Sequence, residues 1–158
     1  MKDVHTEHCC EKHGCCYSDP DCTVITGRAP QSYRCESCEY EGRDVRPWGS
    51  YIVLVDEPTH KVKTITIKAG QRISLQRHQK RKENWICVSG SLRVGLGLTL
   101  DTVNYFTIYP GQSVIIDIGE VHRAEAVGSG DVTFIEVQTG TYFGEDDIER
   151  FEDDYGRS

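Results

Sequence analysis

Residues 70 to 90 read GQRISLQRHQKRKENWICVSG, and the spacing of Gln76, His78 and Glu83 within them decides the fold. Gln76 and His78 are two residues apart, so on a β-strand their side chains leave the same face. The polar turn QKRK, residues 79 to 82, lets the chain double back and carry Glu83 on the hairpin partner. An amide oxygen, an imidazole nitrogen and a carboxylate then converge on one point, as a divalent cation requires. Downstream, in IGEVH, His122 follows a glycine-containing turn and is available as a fourth ligand. Taken alone, the same residues also read as ordinary polar positions on a β-surface.

From Ser50 onward the pattern is β almost throughout. SYIVLVD is bounded by Gly49 and by Glu57-Pro58, and HKVKTITIK is β-branched and ends at Ala69-Gly70. Leu92, Val94, Leu96 and Leu98 alternate with Arg93, Gly95, Gly97 and Thr99, a half-buried strand. NYFTIY, SVIID, the segment around His122 and DVTFIEVQ follow at short spacing, several of them separated by Pro or Gly. Many short strands and frequent turns predict an all-β sandwich or barrel. A short helix is expected over Asp146 to Asp153, where acidic residues near its start suit the helix dipole. In VTFIEVQ, Phe134, Glu136 and Gln138 share one face. Composition would turn Glu136 and Gln138 toward solvent, whereas a buried apolar face opposite would turn them inward.

The wider pattern is Gly70-x5-Gln76-x-His78-x4-Glu83-x6-Gly90, then Gly111-x5-Asp117-x-Gly119-x2-His122. It resembles the two motifs of the cupin superfamily, with Gln76 where many cupins carry a first histidine. More narrowly, Gln76-x-His78-x2-Arg81-x-Glu83-x-Trp85 resembles the signature of type II phosphomannose isomerases, over roughly residues 46 to 157. It opens at Arg46-Pro47-Trp48-Gly49 and closes with EVQTG-TYFGEDDIERFEDDYGR. In that family the isomerase is the C-terminal domain of a protein that also makes GDP-mannose. The N-terminal nucleotidyltransferase domain has no counterpart in this sequence, so no GTP chemistry is expected. Asn84, Asp117 and Ala126 depart from the family's usual histidine, proline and asparagine, and Asn84 removes a candidate supporting imidazole beside Glu83.

The resemblance implies a double-stranded β-helix, or jelly roll, over residues 43 to 158. It also implies a divalent metal, zinc or another transition metal, held by Gln76, His78, Glu83 and His122. The implied reaction interconverts mannose 6-phosphate and fructose 6-phosphate through an enediolate. Such a reaction needs a Lewis acid at the carbonyl, a base to move a proton between neighbouring carbons, and cations for the phosphate. Arg81, taken to lie in the turn between the ligand strands, is expected to contact substrate or the developing negative charge. Glu136 is the expected base, with a lysine or a metal-bound hydroxide as alternatives. Gln138, Arg123 and Arg150 are expected to bind substrate, the two arginines through its phosphate. Trp48 and Trp85 are expected to pack rather than to stack on sugar. The resemblance makes Glu136 and Gln138 inward-facing, and it implies a homodimer, since cupins commonly pair through their sheets.

Two other functions stay open: a non-catalytic sugar-phosphate sensor, and a metal-dependent oxygenase, because two histidines and a carboxylate also bind iron(II). A net charge of −7 with no basic patch argues against a nucleic-acid partner. No apolar run reaches membrane-spanning length and no signal-peptide core is visible, so a cytoplasmic location is expected. Seven of the eight cysteines fall within residues 9 to 38, which sets residues 1 to 42 apart as a Cys-rich segment. Cys35-x2-Cys38 has zinc-site spacing, and Cys10, Cys15 and Cys22, with His13 in reserve, are candidates to complete a structural zinc. Disulfides or reduced thiols on a docked arm are the alternative.

Overall fold

A computed structural model of the chain describes residues 43 to 157. The Cys-rich segment and its candidate zinc ligands Cys10, Cys15, Cys22, Cys35 and Cys38 lie outside the described residues.

Eleven strands follow one another: β1 Arg43–Arg46, β2 Gly49–Glu57, β3 His60–Ile67, β4 Leu75–His78, β5 Arg81–Ser89, β6 Ser91–Gly97, β7 Asn104–Ile108, β8 Ser113–Ile116, β9 Val121–Val127, β10 Val132–Gly140 and β11 Ile148–Glu152. They form a six-stranded sheet ordered β1-β2-β3-β10-β5-β8 and a five-stranded sheet ordered β11-β4-β9-β6-β7. This is the sandwich that the strand pattern predicts, in the jelly-roll form that the cupin resemblance implies. The long alternating strand ends at Gly97, one residue before Leu98, which is exposed.

Parity along the strands decides where the core stops and the site begins. On β10 the inward residues run Val132, Phe134, Glu136, Gln138, and on β5 they run Cys87, Trp85, Glu83, Arg81. On β9 they run Ala126, Ala124, His122. Each series changes from apolar to polar toward the same end of the sandwich. The apolar ends meet in one core, in which Ile67, Leu92, Val94 and Phe134 are fully buried. The polar ends of β5 and β10 line a cleft, through Arg81, Glu83, Glu136 and Gln138.

Two expectations are corrected here. β4 and β5 are not a hairpin within one sheet: β4 lies in the five-stranded sheet and β5 in the six-stranded one. The chain crosses between sheets at Gln79 and Lys80, whose backbone N–H groups both donate to the Asp147 carboxylate at 3.2 Å. The crossing sets inward residues of the two strands face to face rather than side by side. The second correction is the C-terminal helix. Only a single 3₁₀ turn forms, over Glu145–Asp147, and Ile148–Glu152 is β11, paired antiparallel with β4. Acidic residues suit a helix start, but here Asp147 is committed to the crossing turn and β4 offers an open edge to pair with.

β10 ends beside that crossing, with Gly140 opposite Arg81. Gly140 has φ +157, and a Cβ there would collide with the Lys80 carbonyl oxygen.

Candidate metal centre and active site

His78 comes from β4, His122 from the neighbouring β9, and Glu83 from β5 on the facing sheet. One ligand atom from each lies within 4.8 Å of the others, and all three side chains are buried. His78 Nε2 is 3.2 Å from Glu83 Oε1, and His122 Nε2 is 3.7 Å from Glu83 Oε2. The protonation pattern follows from their neighbours. His122 Nδ1–H donates to the Glu120 carbonyl at 2.9 Å, which leaves the lone pair on Nε2, a buried atom with no hydrogen-bond partner. His78 Nε2 lies between two partners, Arg81 Nη2 at 3.2 Å and Glu83 Oε1 at 3.2 Å. Burial lowers the His122 pKa to about 4, against the opposing charge of Glu83, so the ring is neutral near pH 7. Burial alone would raise Glu83, but its hydrogen bond to His78 and the Arg81 guanidinium hold it well below the usual carboxylate range. Two imidazoles and one carboxylate, with His122 oriented by its bond to the Glu120 carbonyl, are a donor set for a divalent cation.

Arg81 is the first residue of β5, not part of the turn, and only 3% exposed. Its Nε donates to Glu83 Oε1 at 3.1 Å and its Nη1 to the Gly144 carbonyl at 3.1 Å. Beside it the Trp85 indole N–H is shared between two carboxylates, Glu83 Oε2 at 3.0 Å and Glu136 Oε2 at 3.2 Å. Gln138 Nε2 makes the same kind of bridge, to Glu83 Oε1 at 3.1 Å and Glu136 Oε1 at 2.8 Å. Glu136 therefore faces inward, as does Gln138. Burial, and then the negative charge of Glu83, push the Glu136 pKa up to about 7, with Lys63 and Arg81 opposing.

The family model for the mannose-6-phosphate isomerase C-terminal domain matches residues 35–153. The chain belongs to that family. It is 49% identical over 113 residues to the alginate biosynthesis protein AlgA of Pseudomonas putida, covering 72% of this chain and 22% of that protein. To the mannose-1-phosphate guanylyltransferase ManC of Salmonella typhimurium it is 38% identical over 112 residues, 71% of this chain and 22% of the relative. The chain thus spans about a fifth of the length of these relatives. Among solved structures it resembles the capsular polysaccharide assembling protein CapF of Staphylococcus aureus, with a TM-score of 0.62 at 20% identity over 70% of this chain and 34% of that one. The fold of this isomerase-family domain is the cupin double-stranded β-helix.

Within the mannose-6-phosphate isomerase C-terminal domain, the remaining expected residues divide. Gln76 sits directly across from His122 and lines the cleft, with its Oε1 accepting the Ser74 hydroxyl at 2.7 Å. Arg150 is opposite Gln76 on the next strand and also lines the cleft. Arg123 does not. It follows His122 by one residue, so its side chain leaves the other face of β9. There its guanidinium donates to the Ile73 carbonyl, to the Glu152 carboxylate and to the Glu152 carbonyl, which ties down β11 instead of reaching substrate. Asn84 likewise faces outward, opposite Ile115 and Val137, so a histidine there would not have reached the centre. Trp48 and Trp85 are both buried, and Trp85 also orients the two carboxylates. Lys63 went unnoticed in the sequence. It shares parity with Ile65 and Ile67, and a lysine on the apolar face of a strand was the available signal. Among the described residues no helix is long and apolar enough to cross a membrane.

Proposed function

We propose that this domain interconverts mannose 6-phosphate and fructose 6-phosphate with a bound divalent metal. The observation that carries the reading is the meeting of His78, Glu83 and His122 within 4.8 Å, with Glu83 lining a cleft beside Arg81 and Glu136. Membership of the isomerase family supports it. The residues fit a metal on their own terms: His122 Nε2 is a buried acceptor with nothing to accept from, and burial of an unpaired lone pair is costly. When bound, the ion supplies Lewis-acid polarisation of the sugar carbonyl.

The chain's own residues do the rest. The carboxyl of Glu136, poised near neutrality, takes a proton from the carbon beside the carbonyl and returns it to the neighbouring carbon. The Trp85 and Gln138 N–H groups hold both of its oxygens in one orientation throughout. The Arg81 guanidinium, always charged, stands beside the place where negative charge grows on the substrate oxygens. The facing sheets wall the cleft and limit the water that could quench the intermediate.

Incubation of the metal-loaded chain with mannose 6-phosphate in D₂O tests this. Fructose 6-phosphate should form, with deuterium appearing at C2 of the recovered mannose 6-phosphate. Absence of both, with sugar-phosphate binding retained, would convert the domain into a sensor. The same two histidines and carboxylate suit iron(II), and oxygen consumption by the iron-loaded protein would replace the isomerase reading with an oxygenase one.

A further inference from the structure

We infer that the substrate's phosphate is held by Lys63 and Arg150, one from each sheet, an assignment that rests on the isomerase reading. Strand register carries the argument. In the five-stranded sheet His122, Gln76 and Arg150 are directly opposite one another on β9, β4 and β11, so all three project from the same face. Arg150 is therefore two strand spacings, about 10 Å, from His122. In the six-stranded sheet Glu136 is directly opposite Lys63, and β3 lies two strands from the β5 that carries Glu83. The same step outward from the metal ligands thus ends on a cation in both sheets, and both cations line the one cleft. That step is comparable to the distance from carbonyl carbon to phosphorus in an extended hexose 6-phosphate.

Neither cation's ion pair with a carboxylate is a short one. Lys63 Nζ is 3.6 Å from Glu136 Oε1, and Arg150 Nη2 is 3.5 Å from Glu145 Oε2, both longer than a direct charge-assisted hydrogen bond. Arg46 and Arg157, which also line the cleft, are held by nearby carboxylates. Arg46 donates to Asp44 at 2.7 Å, and Arg157 makes several bonds to Asp153, so neither is the primary phosphate contact. A guanidinium fork and a mobile ammonium are complementary phosphate ligands, the first directional and the second a point charge.

The test compares mannose 6-phosphate with unphosphorylated mannose, by calorimetry on the metal-loaded full chain. Lys63→Gln and Arg150→Gln should each weaken binding of the phosphorylated sugar by about ten- to a hundred-fold. Metal content and mannose binding should not change, and any isomerase activity of Arg150→Gln should show a raised KM rather than a lowered kcat. Lys63→Arg should restore most of the affinity; if Lys63→Gln fails to fold, Arg150→Gln and Lys63→Met carry the same comparison. The assignment is overturned if folded variants keep wild-type affinity for mannose 6-phosphate, or if both sugars weaken equally. A wild-type chain with no preference for the phosphorylated sugar overturns it as well. Loss of that preference in the variants, with no fructose 6-phosphate formed by wild type, would uphold the subsite while the catalytic reading falls.

Discussion

At the scale of single residues, Arg81 couples the metal ligands to the folded state. It is the permanently charged neighbour of a carboxylate that is only 1% exposed, and removing one partner of such a buried pair costs about 3–5 kcal/mol. Arg81→Ala should therefore lower the stability of the metal-free domain by that amount in urea denaturation, and added divalent metal should restore much of it. An equal loss with and without metal would show that charge compensation of Glu83 is not what Arg81 provides. Trp85→Phe keeps the ring but removes the N–H shared by Glu83 and Glu136, and should cost about 1–3 kcal/mol in the same assay; no change would mean that the bridge is idle. Three of the four candidate ligands, His78, Glu83 and His122, come together, but across two sheets and not on the hairpin that the spacing predicted. Arg81 was harder, since four polar residues in a row look like a solvated turn, and only pairing with β10 shows that Arg81 already belongs to a strand. Arg123 misled because adjacency to a ligand suggests the site, whereas on a strand it guarantees the opposite face.

Among the elements, β11 is the one whose state depends on its partners. Its sequence lacks a strong strand pattern, and pairing with β4 together with a run of ion pairs fixes it: Arg77–Glu149, Arg123–Glu152, Arg72–Asp154 and Arg157–Asp153. The two hydrogen bonds from the Arg72 guanidinium, which reach across to the segment before β4, hold the Asp154 carboxyl below its usual 3.8. A carboxylate whose folded pKa is depressed stabilises above its unfolded pKa, and that contribution disappears as pH falls through the folded value. The C-terminal lock should thus be intact at pH 5 and above and loosen below about pH 4. Amide exchange of Ile148 to Glu152 should rise there before that of β10; simultaneous exchange of both strands would show that β11 has no separate lock. Strands such as β6 and β10 were legible because their alternation is intrinsic to the sequence. β11 and the short β1 were not, because a weak segment adopts whatever an open sheet edge imposes.

For the molecule as a whole, the ligands belong to two different sheets, so a bound ion ties the halves of the sandwich together. An ion that binds only the folded state adds about 4 kcal/mol when present at a thousand times its Kd. Chelation should lower a single melting transition rather than split it, and an unchanged midpoint would exclude a metal bridging the two sheets. One of the passages between sheets beside these residues is at Lys80, and there the chain presses against Gly140, sixty residues further on. A lone methyl at that point would wedge the crossing outward and drag Arg81 and Glu83 along. The closeness of His78, Glu83 and His122 is therefore inherited from an atom that is missing, and Gly140→Ala should lower the metal content of the purified protein without altering any of the three; unchanged metal content would show that the crossing does not shape the cluster.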